Sequence, residues 1–532
     1  MIWRHTKNVG LVLLFVLFAG EVAGADRDAE VFQYAQTLQA HQPHLCVAIG
    51  VMDRESEQVK HFGCEASDYF QIGSITKVFT TTALSASSKV HSGTTLGDVY
   101  TEHISADAQQ ITLGQLASYT SGLPRLPDNI DLSSLDNPYA SYTEADVIDY
   151  LSRYQSTGQE GTFAYSNLGL GLLGMVLAKT EGLPYEQVIA KFILHPLGLQ
   201  QTWVDPQNKT ENGVTLQGHG ADQQPNTNWT FDALAGAGAL WSNVGDMLNF
   251  ARAQLAQNDS PLAKAISDTH QSQTDVSPAV AVGLGWMINT RDPKYLWHNG
   301  ATAGFRSWMG FDTKRNRAAV VLANGMLSEV DLMGQALMGS DIHLPALATG
   351  STLTPDQAKA YLGRYQLSPQ AVLDVFMEGQ ELFVQVSGQP KFKLHSTGTD
   401  KFRTESVPTE IEFNRRHSIV TSLTLHQGGN TITAQRIGEV PIRAKLNLPI
   451  EKVERLVGTY RLRRGFELTV TRNDQALWVQ ATGQQNFPVF AESDTRFYYE
   501  VVAAELEFDL EDGTVEGVWL HQNGKHYAKK VR

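Results

Sequence analysis

The spacing of apolar positions divides the chain into a mixed first part and a β-rich second part. Up to about residue 345, strand-like apolar runs stand at both ends, and segments such as Leu168 to Lys179 between them carry apolar residues at helical spacing. This order predicts one sheet assembled from both ends of the domain, with a helical insertion. Beyond Ala346 the helical spacing stops, and short alternating strands with Gly and Asn turns follow.

The β-rich part consists of two copies of one module. Gly363-Arg-Tyr365 matches Gly458-Thr-Tyr460, and Leu382-Phe-Val-Gln385 matches Leu477-Trp-Val-Gln480, at a constant spacing of 95 residues. Since closure removes sheet edges that could aggregate, we expect two small antiparallel β-barrels. The predicted domains are a leader at 1–25, a first domain at 26–345, and barrels at 353–440 and 448–532.

Residues 1–25 have the composition of a secretory signal. Basic residues precede an apolar run from Val9 to Ala19, and Ala23-Gly24-Ala25 supplies small residues for cleavage. The run is shorter than the ~20 residues that span a bilayer. We therefore expect a secreted or periplasmic protein with no stable membrane insertion after cleavage, and an uncleaved anchor is the alternative.

The chain has two cysteines, and the sequence leaves their state open. Cys46 and Cys64 lie in strand-like runs around a polar turn, and a hairpin centred on Glu55 would place them opposite each other. In an oxidising compartment they could form a disulfide or remain two buried thiols.

Composition excludes several classes of protein. The 532 residues are 42% hydrophobic and 9% aromatic, which is typical of ordered globular domains. A net charge of −14 argues against nucleic acid or an anionic membrane as a partner. No cluster of His, Cys and Asp has the spacing of a metal site, so we expect neither a metal nor another cofactor.

The candidate nucleophile lies in the run Phe70 to Lys77. An extended stretch meets Gly73 and becomes a helix whose first turn holds Ser74 and Lys77. Residues three apart share a helix face, so the amine can reach the hydroxyl and take its proton. The helix N-terminus also offers N–H groups to an oxyanion. A capping serine beside a solvated lysine would explain the same spacing without chemistry, so the motif needs partners elsewhere.

Tyr165-Ser166-Asn167, between two helical segments, offers the first partners. Tyr165 could accept the Ser74 proton if the Lys77 cation lowered its pKa from about 10. The Asn167 amide can donate and accept, which suits a substrate peptide bond. The structural alternatives are an interface aromatic and a helix cap.

His298-Asn299-Gly300-Ala301, at the end of a predicted strand, offers the remaining parts. Gly300 lets a ligand backbone lie close to the strand, and the N–H of Ala301 could face the oxyanion. His298 is alternatively a strand-end side chain without a chemical role.

Taken together, Ser74-x-x-Lys77, Tyr165-x-Asn167 and His298-x-Gly300 resemble the three motifs of the penicillin-recognising serine hydrolases, which include class C β-lactamases, DD-peptidases and related esterases. The surrounding sequence supports this resemblance over about residues 45–324. It implies an α+β fold class: a β-lactamase/transpeptidase-like domain, with an antiparallel sheet and a helical subdomain, followed by the two barrels.

The resemblance also implies residue roles. Ser74 would be the acylated nucleophile, Lys77 and Tyr165 would exchange its proton, and the N–H groups of Ser74 and Ala301 would form the oxyanion hole. The substrate would be bound by Asn167, His298, Gly300 and Ala301.

One position departs from the β-lactamases of this group, which carry lysine where this chain has His298. A histidine with an ordinary pKa near 6.5 is mostly neutral at pH 7, so we expect weaker binding of a substrate carboxylate unless Arg306 substitutes. Histidine here, followed by two barrels, resembles the D-aminopeptidases of the group.

We therefore expect an exported acyl-enzyme serine hydrolase of small D-residue-containing peptides or amides, of D-aminopeptidase or DD-peptidase type. An esterase or weak class C-type β-lactamase is the first alternative, and a non-catalytic binder of penicillin or cell-wall peptides is the second. The expected partner is a small peptide, amide or ester substrate. The barrels would shape the cleft or support a homodimer.

Overall fold

A computed structural model of the chain describes residues 19–131, 137–204, 213–220, 223–345, 347, 353–368, 371–387, 389, 391–404, 409–427, 430–440, 445–463, 466–473, 476–482, 486–499, 504–522 and 524–531. Residues 1–18 of the predicted leader lie outside the described residues. The chain forms two units that divide between Leu344 and Pro345. No helix in these ranges is long and apolar enough to cross a membrane.

The first unit is built on an eight-stranded antiparallel sheet with the order β2-β1-β12-β11-β10-β9-β8-β7. Its strands, together with short two-residue pairs, are β1 Val47–Met52, β2 Glu57–Phe62, β3 Phe70–Gln71, β4 Gly218–His219, β5 Pro225–Asn226, β6 Trp241–Ser242, β7 Thr274–Ser277, β8 Val280–Val282, β9 Met287–Asn289, β10 Tyr295–Ala301, β11 Arg306–Asp312 and β12 Arg317–Ala323. The sheet joins strands from both ends of the unit, as the apolar pattern predicts.

Helices fill the middle of the unit and cover the sheet. They are α1 Ala19–His41, α2 Thr76–Ala86, α3 Leu96–Val99, α4 Ala106–Gln109, α5 Leu113–Ala117, α6 Glu144–Ser152, α7 Asn167–Glu181, α8 Tyr185–Ile189, α9 His195–Leu197, α10 Val244–Leu255, α11 Pro261–Thr269 and α12 Glu329–Leu337. Helix α10 packs on one face of the sheet, where Gly50 admits Leu248, and α12 packs on the other, where Gly334 admits Trp308. Strand β12 is apolar along nearly its whole length because both of its faces are buried.

Cys46 and Cys64 form a disulfide, with their Cα atoms 5.3 Å apart. The register pairs Val47 with Phe62 and Met52 with Glu57, so the hairpin is centred half a residue before Glu55. Continued by one residue, this register sets Gly63 opposite Cys46. Gly63 takes a left-handed φ of 79°, and the chain turns there to bring Cys64 back to its partner.

The second unit contains two closed antiparallel barrels of eight strands each, which confirms the expected architecture. Short helices α13 Pro355–Ala358 and α14 Ile450–Glu454 precede them. The strands are β13 Gly363–Ser368, β14 Ala371–Glu378, β15 Glu381–Val386, β16 Lys391–Gly398, β17 Lys401–Thr404, β18 Thr409–Arg416, β19 Ile419–Gln427, β20 Asn430–Gly438, β21 Gly458–Arg463, β22 Phe466–Asn473, β23 Ala476–Ala481, β24 Asn486–Ala491, β25 Arg496–Tyr499, β26 Glu505–Glu511, β27 Thr514–His521 and β28 Lys525–Lys530. Apolar side chains at equivalent repeat positions, such as Phe402 and Phe497, fill both interiors.

Candidate active site

Ser74 lies in a single 3₁₀ turn, Gly73–Ile75, that leads directly into α2. Ile75, Val78 and Phe79 are fully buried, so the start of the helix is fixed against the core. Ser74 itself is half-buried and lines a cleft. The structure therefore confirms the predicted position of this serine at the entrance of a helix.

Lys77 contacts Ser74 directly. Its Nζ lies 2.9 Å from Ser74 Oγ and 2.7 Å from the carbonyl oxygen of Ala237. The side chain is completely buried, and this burial, together with the charge of Arg125, lowers the pKa of Lys77 well below its ordinary 10.5. Burial thus favours the neutral amine, which has a lone pair available for a proton.

Three glycines bring the Ala237 carbonyl to this amine. A Cβ at Gly171 would lie 2.5 Å from Leu234, and one at Gly174 would lie 2.9 Å from the Cα of Gly236. The 3₁₀ turn Ala235–Ala237 can therefore pack directly on α7. This contact with Lys77 was not predicted from the sequence.

Tyr165 lies above the same lysine, with Lys77 Nζ 5.1 Å from its ring centroid. Burial raises the pKa of Tyr165 to about 12, although a hydrogen bond with Ser74 and the charge of Arg125 act in the opposite direction. The expectation that the Lys77 cation would lower this pKa is therefore wrong, because burial outweighs the nearby charges and also disfavours that cation. Of the two groups, Lys77 is the better proton acceptor.

His298 faces the interior and not the cleft. It is 1% exposed, its Nδ1 lies 2.6 Å from the carbonyl oxygen of Asn299, and its Nε2 lies 3.1 Å from Tyr119 Oη. Burial, assisted by the charge of Lys77, lowers its pKa to about 3. Since a carbonyl only accepts, Nδ1 carries the proton of the neutral ring, and Nε2 shares the hydroxyl proton of Tyr119 with the carbonyl oxygen of Gly285, which lies 3.2 Å from Tyr119 Oη. This placement corrects the expectation that His298 binds substrate: it supports the site from behind.

Tyr119 connects this imidazole to Tyr165. Its ring stacks on that of Tyr165 with centroids 4.9 Å apart, and its carbonyl accepts the N–H of Ala164 at 2.8 Å. The residue takes a left-handed φ of 59°, a costly conformation for a tyrosine that the surrounding contacts must maintain. This role of Tyr119 was not predicted from the sequence.

We expect Tyr119→Phe to lower the free energy of unfolding by about 1–3 kcal/mol, because it removes the buried hydroxyl that contacts both His298 Nε2 and the carbonyl oxygen of Gly285. Urea unfolding of both proteins measures the change. Tyr527→Phe, which removes an exposed hydroxyl bonded to Asp509, should cost far less. Equal losses in the two variants would contradict the assigned hydrogen bond.

The oxyanion site combines the turn at Gly73 with the end of β10. A Cβ at Gly73 would lie 2.7 Å from Ala301 N, and one at Gly300 would overlap the carbonyl oxygen of Ile72. Thr302 N donates to Phe305 O. Successive N–H groups of an antiparallel strand point alternately toward and away from the neighbouring strand, so the N–H of Ala301 points away from β11. The amide of Ser74 belongs to a first helical turn, where N–H groups have no helical partner. The two donors are thus held side by side.

The cleft has a volume of about 790 Å³ and one aromatic wall. Tyr139 stacks on Phe231, with centroids 4.8 Å apart, and packs edge-on against Trp229. Asn167 Nδ2 donates to Tyr139 Oη at 2.8 Å, while Asn167 Oδ1 is buried without a partner. The wall therefore fixes the Asn167 amide at the edge of the cleft.

Arg306 borders the cleft beside the oxyanion site. Its Nη1 lies 4.0 Å from Asp331 Oδ2, and Asp331 Oδ1 accepts from Asn299 Nδ2 at 2.6 Å. The Nε of Arg306 has no hydrogen-bond partner. The weak ion pair leaves donors of the guanidinium for a ligand.

The charged side chains among the described residues that line the cleft are Arg125 and Arg306, and none of those residues is acidic. The described residues also contain no group of three or more His, Cys, Asp or Glu side chains that could hold a metal ion. The cleft therefore suits an anionic ligand with an apolar part.

Comparison with known proteins agrees with this geometry. The sequence model described as Beta-lactamase matches residues 31–337, which is more than half of the chain. The chain belongs to the beta-lactamase family. The barrels match a family described as a domain of unknown function, DUF3471, at residues 348–437 and 443–529.

Relatives within the beta-lactamase family include both peptidases and β-lactamases. The chain is 23% identical over 361 residues to penicillin-binding protein 4* of Bacillus subtilis, which covers 62% of this chain and 78% of the relative. It is 28% identical over 229 residues to the D-alanyl-D-alanine-carboxypeptidase/endopeptidase AmpH of Escherichia coli, covering 40% of this chain and 58% of AmpH. For AmpH and for a β-lactamase of Providencia stuartii, the chain thus covers less than two thirds of the relative.

A solved structure shares the fold. The β-lactamase/D-alanine carboxypeptidase of Pseudomonas syringae superposes with a TM-score of 0.52 at 20% identity, over 60% of this chain and 100% of that protein. Family membership supports hydrolysis through an acyl-enzyme. Residues of all three motifs lie at one cleft, although the side chain of His298 faces the interior.

Proposed function

We propose that the protein is an exported acyl-enzyme serine hydrolase of small D-residue-containing peptides, and that it releases a C-terminal residue whose carboxylate is bound by Arg306. The observation that carries the proposal is the contact of 2.9 Å between Ser74 Oγ and the buried amine of Lys77. A pure binder of penicillin or peptides has no need for this amine, whose burial is costly.

The reaction follows from these positions. Lys77 takes the Ser74 proton as Oγ attacks the carbonyl carbon, and the N–H groups of Ser74 and Ala301 stabilise the oxyanion. Tyr165, which keeps its proton up to high pH, donates it to the leaving nitrogen as the C–N bond breaks. The Lys77 ammonium, whose Nζ lies 5.1 Å from the Tyr165 ring centroid, then returns a proton to the Tyr165 hydroxyl. Water then attacks the carbonyl carbon of the ester while Lys77 takes its proton. Lys77 returns a proton to Ser74 Oγ as the C–O bond breaks, which releases the product acid and free Ser74.

The charges in the cleft favour a carboxypeptidase over a D-aminopeptidase. An aminopeptidase must bind the ammonium group of its substrate, for which a carboxylate is the usual partner, and the described lining residues include none. Arg306 and Arg125 instead match a carboxylate. The similarity to AmpH, a D-alanyl-D-alanine-carboxypeptidase/endopeptidase, supports the same choice.

A weak β-lactamase is the second candidate. Its support is the family itself, together with Arg306 as the group that would hold the β-lactam carboxylate. Because His298 is buried and neutral, Arg306 would have to act without a second cation at that position.

Purified protein, Ser74→Ala and Arg306→Gln should be compared on a D-Ala-D-Ala peptide, D-Ala-p-nitroanilide, a p-nitrophenyl ester and a chromogenic cephalosporin. We expect release of C-terminal D-Ala, its loss in Ser74→Ala, and a higher KM for the peptide but not for the ester in Arg306→Gln. Rapid cleavage of the anilide or the cephalosporin without release of D-Ala would contradict the proposal.

We expect kcat/KM for the uncharged ester to rise with pH in a single step, governed by one ionising group. Since the pKa of Lys77 is lowered well below 10.5, its amine becomes free base as the pH rises through that depressed value. His298, with a pKa of about 3, adds no limb near 6.5, and Tyr165, with a pKa of about 12, adds no falling limb below that value. A pH–rate profile measures this. A limb near 6.5 that disappears in His298→Gln would contradict the assignment.

A further inference from the structure

A second guanidinium, that of Arg125, borders the cleft from the segment before α6, whereas Arg306 belongs to β11. The Arg125 Cζ lies 5.3 Å from the centroid of the Tyr165 ring. The side chain is exposed, and it makes no hydrogen bond or ion pair within the part of the chain that the structure describes. Its donors are therefore free for a ligand.

The backbone at Arg125 is fixed to the start of α7. The Arg125 carbonyl accepts the N–H groups of Asn167 at 3.0 Å and Leu168 at 3.3 Å, and Ser166 Oγ donates to the Pro124 carbonyl at 2.6 Å. Ser166 also caps the helix by accepting from Gly169 N. The guanidinium thus extends from a rigid base beside the residues that bind substrate.

Arg125 lies close to the Asn167 side of the cleft. Its charge acts on the hydroxyls of both Tyr139 and Tyr165, and Tyr139 Oη is the acceptor for Asn167 Nδ2. Asn167 lines the cleft together with Arg125, and its amide is the group expected to bind a substrate amide there. A group attached close to that amide would therefore reach Arg125.

We propose that Arg125 forms a second carboxylate subsite, which binds an acidic group on the acyl part of the substrate while Arg306 binds the terminal carboxylate. The preferred substrates are then peptides with two carboxylates, one on each side of the scissile bond. This inference rests on the proposed function for the direction in which the substrate binds.

The alternative role of Arg125 is electrostatic, since its charge also lowers the pKa of Lys77. The two roles predict different results for acidic and neutral substrates. A carboxylate subsite separates an acidic substrate from its neutral isostere, whereas an effect on Lys77 changes the turnover of both substrates equally.

The test is the affinity of Ser74→Ala for succinyl-D-Ala-D-Ala and for its neutral succinamoyl analogue, measured by calorimetry. We expect the acidic peptide to bind about tenfold more tightly, as a charge-assisted hydrogen bond provides. In Ser74→Ala, the additional substitution Arg125→Gln should reduce the ratio of the two affinities to about one. Adding Lys264→Gln, which removes the same charge at an exposed position of α11, should leave it unchanged.

Equal affinities in Ser74→Ala, or a ratio that Arg125→Gln does not change, would overturn the subsite. Turnover of the two peptides by the unmodified protein tests the proposed function separately. Absence of turnover with the affinity ratio intact would refute the hydrolase and leave the carboxylate subsite standing.

Discussion

Lys77→Met is expected to lower kcat/KM for peptide and ester substrates by about 10²–10⁴-fold, the usual contribution of a general base. Methionine has a similar length but no group that can take the Ser74 proton. Tyr165 also hydrogen-bonds with Ser74, but its raised pKa makes it a poor proton acceptor, whereas Lys77 Nζ lies 2.9 Å from Ser74 Oγ and has a depressed pKa. The acylation rate, measured with a chromogenic ester under single-turnover conditions, gives the effect directly.

The control for Lys77→Met must separate catalysis from folding. The substitution leaves the Ala237 carbonyl without its donor, which costs about 1–3 kcal/mol of stability. Unfolding curves establish that the variant is folded at the assay temperature, and Lys264→Met provides a variant with the same chemical change on the surface. Acylation by Lys77→Met at the unmodified rate would contradict the assignment of this base.

Gly300→Ala is expected to lower kcat/KM by about 10²–10³-fold, the effect of losing one oxyanion donor. The added Cβ would overlap the carbonyl oxygen of Ile72 and the hydroxyl of Ser307, two groups that are hydrogen-bonded to each other at 2.8 Å. Strand β10 must then move away from the Ser74 turn and take the N–H of Ala301 with it. The same overpacking should cost about 1–3 kcal/mol of stability.

Gly245→Ala is the matched control for Gly300→Ala. Gly245 is an exposed position of α10 where an added Cβ meets only Asn243 Oδ1, at 3.5 Å. Alanine favours the helix there, so this variant should keep full activity and be slightly more stable. Full activity in Gly300→Ala, measured with the same ester, would show that the overlap does not reach the oxyanion site.

Much of this fold could be predicted from local patterns. Helical spacing predicted a segment at Leu168 to Lys179, which the structure confirms as α7 within about two residues. The internal repeat predicted two copies of one barrel. The repeat is visible in the sequence because equivalent apolar residues fill both interiors. The β7–β8 hairpin was missed because its strands have only four and three residues, and two positions of β7 are exposed.

The composition of the site was predictable, whereas its electrostatics were not. The three motifs predicted one site, and the structure places the following motif residues in or directly beside one cleft: Ser74, Lys77, Tyr165, Asn167, Gly300 and Ala301. Burial, however, depends on the whole tertiary structure, so the sequence could not show that the pKa of Tyr165 is raised. For the same reason it could not show that His298 faces inward onto Tyr119.

The central claim is that Ser74 is the residue that becomes acylated, and mass spectrometry of the intact protein tests it most directly. After brief exposure to a slowly released acyl donor, such as a penicillin, we predict one adduct per chain, located by peptide mapping on the segment that contains Ser74. The adduct should be absent in Ser74→Ala and form much more slowly in Lys77→Met. An adduct that persists in Ser74→Ala, or that maps to another residue, would contradict the account.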